Sequence, residues 1–414
     1  MSVFRPFRGI RPVPEQAAEV ASRPYDVLDS EEARAEAEGH PLSFLHVVKP
    51  EIDLPTDADP YADEVYAKGR ENFQSMLDSG SLLREESPAF YLYRLTMDGR
   101  SQVGVVGCCH VDEYYDGSIK KHELTRPVKE DDRVRHVQTL NANAEPVFFS
   151  YRGRAEIDAF VNERLEAEPT YDFVAADGIR HEAWVVSDPV EVQRMEQLFA
   201  EVPALYVADG HHRTAAAARV GKERRDANPG HDGSEEYNLF LAVLFPDDQL
   251  KIFDYNRVVT DLNGLTEEEF LERLGDSFEV EASPDGACRP SGLREFGLYL
   301  KGRWFRLRAK EEARPDDDPV AALDVTALSE RVLTPILGIT DLRRDKRIDF
   351  VGGIRGLQEL ERQVDSGEMA AAFALHPVSM EQLLAIADAG EIMPPKTTWF
   401  EPKLRSGLVV HDLE

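Results

Sequence analysis

The sequence predicts an α/β (α+β) protein built from two domains, and three observations predict it. Short apolar runs alternate with stretches of helical periodicity along most of the chain. At residues 205 to 220 an apolar strand, a tight turn and a small-residue helix follow one another without a gap. The length, 414 residues, exceeds what one ordinary hydrophobic core holds. A boundary near Asp261 to Thr266 divides the chain into 1–262 and an α+β domain, 263–414.

The elements run as follows. Residues 1 to 29 are Pro-rich, and Pro with its preceding residue favours extended chain. Glu31 to Glu38 reads as a short polar helix, Phe44 to Val48 as a strand, and Tyr61 to Ser79 as a helix ended by Gly80. Phe90 to Met97 and Gln102 to Val111 form a hairpin closed by Asp98-Gly99. A charge-dense block covers Tyr114 to Tyr151. Arg154 to Ala167 is a helix, Tyr171 to Val174 and Arg180 to Val186 are strands, and Val190 to Ala200 is a helix. Ala204 to Val207 is the strand that leads into Asp209-Gly-His-His-Arg213 and its helix. Tyr237 to Phe245 and Lys251 to Val259 read as a second hairpin across Pro246-Asp247-Asp248. Beyond the boundary come a helix at Glu267 to Leu274, strands within Arg294 to Arg308, and an acidic loop at Arg314 to Pro319. Helices at Ala322 to Leu333, Leu357 to Ser366 and Met380 to Ala389 follow, with a buried strand at Ala370 to Leu375. The Met393 to Leu404 tail carries Trp399, Phe400 and two lysines. It either packs as an ordered end or reaches a site.

Composition narrows the function classes. The net charge of −30 argues against a nucleic-acid footprint and against anionic membrane surfaces. No apolar run is long enough to span a bilayer, and Met1 to Arg8 lacks the apolar stretch of a signal peptide. Cys108, Cys109 and Cys288 have no ligand spacing, which fits a reducing cytoplasm. Any phosphate-bearing ligand must find a local basic pocket in a repelling field. A homo-oligomer stays open.

Two blocks could carry chemistry. In the first, Gly210 permits the turn after Asp209, and His211, His212 and Arg213 stand at a helix mouth. Unpaired backbone N–H groups there favour phosphate, and a guanidinium adds a matching fork. Asp209 either caps the helix or holds Mg²⁺. The second block is His122-Glu123, followed by Arg126, Arg133 and Arg135. A Glu among basic residues can accept a hydroxyl proton, or simply pair with a neighbouring Lys. The arginines are candidates for a phosphate or carboxylate. Several templates fail: the chain has no GxxxxGK[ST], no GxGxxG after a strand, no HExxH and no GxSxG. His122, His181, His211 and His212 would be needed for a zinc hydrolase, but they lack ligand spacing.

With these motifs on the page, the chain resembles the DUF1015 family. The matching stretches are part of Phe4 to Pro12, Arg23-Pro-Tyr-Asp-Val27, His122-Glu123, Asp209-Gly-His-His-Arg213 and the Met393 to Leu404 tail. The two site blocks are also similar to those of the free-serine kinases of the ParB/sulfiredoxin superfamily. That resemblance implies a ParB/sulfiredoxin-like mixed-sheet core with an N-terminal extension, an insertion near 151 to 200 and an added C-terminal domain. It implies a kinase that moves a phosphoryl group from ATP or ADP to the hydroxyl of a small amino acid, best free L-serine, giving O-phosphoserine. Glu123 would be the base, and His122 and Asp209 would complete the catalytic set. Gly210, His211, His212 and Arg213 would cradle the phosphates, with Mg²⁺ on Asp209 and the substrate carboxylate on Arg126 or Arg133. His211 stands where sulfiredoxin needs a cysteine. The alternative is a nucleotide-binding regulator without catalysis.

Overall fold

The computed structural model describes residues 2–284, 286–310 and 318–414. The chain falls into two compact units, Met1–Leu250 with Pro402–Glu414, and Lys251–Glu401. The expected division at 262/263 differs from this at both ends. Tyr255–Val259 pairs with Ile348–Gly352 and Ala371–Ala374 in the second unit. At the other end, His411–Asp412 pairs with Ala142–Asn143 in the first. Strand partners, which local composition does not reveal, set both boundaries.

The first unit is a mixed α/β structure on a nine-stranded sheet. From one edge the strands are Ile119–Lys120, Leu205–Asp209, Val147–Tyr151, Leu239–Pro246, Arg100–His110, Phe90–Met97, Arg180–Val186 and Tyr171–Val174. Phe4–Arg5 pairs onto Arg100–His110. The central strands are apolar on both faces because helices cover them. Phe149, Phe160, Phe199, Phe240 and Leu244 lie in the resulting core. The Asp98-Gly99 turn is as expected: both residues have positive φ, 52° and 76°, and Met97 faces Arg100.

Two expectations fail here. Phe44 to Val48 is no strand; Leu45–Val48 is a helical turn. Phe44, Leu45, Val47 and Val48 are buried among Ile10, Val20, Phe73 and Val410, and among the described residues no sheet takes them up. A short apolar run reads alike in both states, and here a turn satisfies its own backbone. The second hairpin is also absent. Leu239–Pro246 already has partners on both sides, antiparallel to Arg100–His110 and parallel to Val147–Tyr151, so no edge is left for a returning strand.

The second unit is α+β, with a six-stranded antiparallel sheet ordered Phe278–Ser283, Arg303–Ala309, Glu295–Leu300, Ala371–Ala374, Tyr255–Val259, Ile348–Gly352. Helices Glu267–Ser277, Leu357–Asp365 and Met380–Asp388 stand where periodicity predicts them. The acidic loop expected at Arg314 to Pro319 lies mostly outside the described residues. All three cysteines are buried and free. Among the described residues no helix is long and apolar enough to cross a membrane.

Candidate functional site

The site forms at the sheet edge where Leu205–Asp209 ends. This strand runs parallel to Ile119–Lys120 and antiparallel to Val147–Tyr151, and its register shifts between Val207 and Asp209. Such an irregularity re-aims the residue after it. Gly210 follows with φ 91°, the left-handed region that side chains resist. A Cβ on Gly210 would lie 3.1 Å from Nε of Arg213, so glycine also leaves room for that guanidinium to fold back over the turn. Helix His211–Ala227 begins here, with no side-chain cap and no acid in its first turn. Its Ala215 to Ala218 stretch is buried, and Ala216 and Val220 pack against Val134 of helix Pro127–Leu140. Small residues let the two helices approach.

The two sequence blocks meet. The rings of His122 and His211 lie 4.5 Å apart, edge to face. The Arg126 N–H donates to Nε2 of His212 at 3.0 Å. The parallel pairing Leu205↔Ile119 sets this up, because both strands then release their loops at the same end of the sheet. Glu123, next to His122, is half-buried. Arg126 is exposed at the start of helix Pro127–Leu140.

Burial settles the charge states. It lowers His122 to about 4, against the pull of Asp209 and a hydrogen bond with the Val207 backbone. It also holds His211 well below its ordinary value, helped by His122 beside it, and it lowers His212, helped by Arg126. The imidazoles are therefore neutral near pH 7 and add no positive charge to the corner. Burial would also raise Asp209, but Lys403 and Arg213 outweigh it and hold that carboxylate well below its usual range.

Arg213 is 8% exposed. Its Nη1 donates to the Pro146 carbonyl at 2.8 Å, and its Nη2 lies 3.6 Å from Asp26. Burial opposes its charge, but Asp26, Glu145 and Asp209 more than compensate. Its Nε and the Nε2 of His211 have no hydrogen-bond partner among the described residues. Two orphaned polar atoms, both on nine-tenths-buried side chains at one helix mouth, make this corner the candidate ligand site.

Three residues of this corner went unassigned in the sequence. Asp26 faces Arg213. Glu145 accepts the Tyr25 N–H at 3.0 Å and lies 3.5 Å from Arg133. Lys403 Nζ stands 3.0 Å from Asp209 Oδ2. Asp26 and Lys403 both lie in stretches that carry the family resemblance, the one signal that pointed to them. Arg133, a candidate carboxylate ligand, is instead buried beside Asp132 at 2.9 Å and over the Tyr25 ring at 3.9 Å. It is committed to the protein's own acids. Arg135 pairs with Asp63 and sits over Tyr66. His181 lies with Tyr93 and Arg405, hydrogen-bonded to both.

Asp209 does not fit a metal-holding role as arranged. One of its oxygens accepts the Gly210 N–H at 2.9 Å and the other faces Lys403. Among the described residues no three His, Cys, Asp or Glu side chains are grouped to hold a metal.

A family model described as "Protein of unknown function (DUF1015)" matches residues 4–326, and the chain belongs to that family. No curated protein matches. Among solved structures, a free serine kinase in complex with AMP is similar at 16% identity and TM-score 0.37, over 74% of this chain and 90% of that one. A conserved hypothetical protein from Pyrococcus furiosus is similar at 15% identity and TM-score 0.36, over 75% and 97%. SbnI with a C-terminal truncation, from Staphylococcus aureus, is similar at 12% identity and TM-score 0.39, over 74% and 87%. Likenesses this distant carry no inference about activity.

Proposed function

We propose that this DUF1015 protein is a small-molecule kinase that moves a phosphoryl group from ATP or ADP to the hydroxyl of a small amino acid, with free L-serine the best candidate. One observation carries the proposal. His122 lies against the mouth of helix His211–Ala227, edge to face with the His211 ring, and Arg126, three residues beyond Glu123, donates its N–H to His212. On this reading the proposed proton acceptor and phosphate cradle would share one corner.

Phosphoryl transfer asks little covalent help of a protein; it asks for positioning and charge neutralisation. The helix N–H groups and the orphaned Arg213 Nε would hold the phosphates, and Gly210 would let them approach the backbone. Glu123 would take the proton of the substrate hydroxyl. The oxygen then bonds to the terminal phosphorus as the bond to the nucleotide breaks, releasing ADP from ATP or AMP from ADP. Arg126, exposed beside His212, would meet the substrate carboxylate. Buried neutral His122 would orient rather than titrate. Mg²⁺ would arrive on the nucleotide's own phosphates, and no step here depends on a protein-held ion.

The test is incubation with L-serine, Mg²⁺ and ATP or ADP, followed by ³¹P NMR for O-phosphoserine. Glu123→Gln should slow turnover by ~10²–10⁴-fold, the usual worth of a general base, with nucleotide affinity little changed. An unchanged rate removes Glu123 from the base role. Tight nucleotide binding without any turnover would make the protein a regulator.

A further inference from the structure

We propose that Lys403 is a second phosphate ligand of this site, held on Asp209 until a phosphate-bearing ligand enters and then shared between them. The proposal rests on the phosphate cradle described above and adds a residue that no motif assigned to it.

The first ground is position. Lys403 Nζ lies 3.0 Å from Oδ2 of Asp209, the residue just before Gly210 and the helix mouth. The pair is near the surface, the Lys side chain 16% exposed and the Asp side chain 27%, so a ligand can reach it without unfolding the corner. The second ground is charge. His211 and His212 are neutral, and the Nη atoms of Arg213 are committed to Pro146 and Asp26, so only its Nε is left for a phosphate. A nucleoside di- or triphosphate brings more negative charge than that one donor and a helix end can match. Lys403 supplies a full positive charge at the lip, on a flexible four-carbon stem.

The third ground is how the backbone is fixed. Two residues on, Arg405 Nε donates to His181 Nε2 at 3.2 Å, and Nη2 of Arg405 bonds Asp177. The Arg405 N–H donates to the Tyr93 hydroxyl at 3.3 Å. Ser406 exchanges backbone hydrogen bonds with Ser22 and donates its hydroxyl to Glu145 at 3.1 Å. Glu145 is the acid that also faces Arg133 and contributes to the field at Arg213. The segment is thus pinned to the ionic cluster that backs the cradle, and this fixes the backbone from which Lys403 reaches Asp209. Asp209 acts here as a positioning residue.

Calorimetric titration of the full chain tests this with ADP and, separately, inorganic tripolyphosphate, on wild type, Lys403→Ala and Lys403→Arg, each checked by thermal unfolding. Lys403→Ala should weaken both ligands by roughly 10- to 100-fold, the worth of one charge-assisted hydrogen bond. Its unfolding temperature should fall modestly, because Asp209 loses the cation that holds its carboxylate low, so affinities are read well below it, and Lys403→Arg should restore most of both affinity and stability. Unchanged affinity in Lys403→Ala overturns the proposal. So does a loss of affinity that persists in Lys403→Arg although the unfolding temperature is restored, because Lys403 then serves Asp209 and not the ligand. A wild-type protein that binds neither probe overturns the phosphate cradle itself, and Lys403 with it.

Discussion

Each unit buries an arginine, and the two are buried on opposite terms. Arg213 in the first unit is surrounded by Asp26, Glu145 and Asp209, which raise its affinity for its proton despite burial. Arg257 in the second unit is 1% exposed, and burial lowers it to about 10, with only Tyr255 opposing. It donates to the Tyr255 and Pro395 carbonyls, lies over Phe350 and forms no ion pair among the described residues. Arg257 uses its donors to tie a strand to the chain near Pro395. Arg213 sits amid surplus acid and keeps a donor in reserve. The difference teaches that burial of a charge does not mark a site; surplus counter-charge together with an unsatisfied donor does.

Substitution gives the largest separation. Arg213→Met leaves buried carboxylates under-compensated and should cost ~3–5 kcal/mol. Arg257→Met loses hydrogen bonds to carbonyls but also removes an unbalanced buried charge, so it should stay within ~1 kcal/mol. Thermal unfolding of the two variants checks this, and equal losses would erase the contrast.

The next effect is in pH. Burial raises Glu113 in the first unit to about 7, and Asp324 in the second to about 6. In each case the folded value lies above the ordinary one for the free side chain, 4.5 for Glu113 and 3.8 for Asp324. Their contribution is therefore fully present below those values and fades as pH rises through the folded ones. Asp324→Asn should flatten the stability profile up to about pH 6, and Glu113→Gln up to about pH 7, each by up to ~3 kcal/mol. Unfolding temperatures from pH 4 to 8 read both; profiles parallel to wild type would contradict them.

The smallest effect compares two glycines. Gly390 has φ 72° and open space around it, whereas Gly210 has φ 91° and Arg213 beside it. Gly390→Ala should cost ~1 kcal/mol from backbone strain alone, and Gly210→Ala ~2–3 kcal/mol because the guanidinium must also move. Only Gly210→Ala should weaken ADP binding, which calorimetry would show.

Much of this corner was legible in the sequence, because strand, Asp-Gly turn and helix are local features. The Asp98-Gly99 hairpin was legible for the same reason. What stayed hidden is non-local. Asp209 and Lys403 are 194 positions apart, and no periodicity links them. Leu45–Val48 was misjudged because a short apolar run has no period of its own. The missing second hairpin shows a strand taken up by neighbours that the local sequence does not name.

The return of Pro402–Glu414 to the first unit makes the second an insertion within the first. During synthesis, the partners that Ser22, Asn143 and Glu145 find in Ser406 and His411 emerge from the ribosome only after the whole second unit. A polypeptide that stops within that unit carries the motif without this anchor. Translation through the second unit becomes a precondition of a finished pocket.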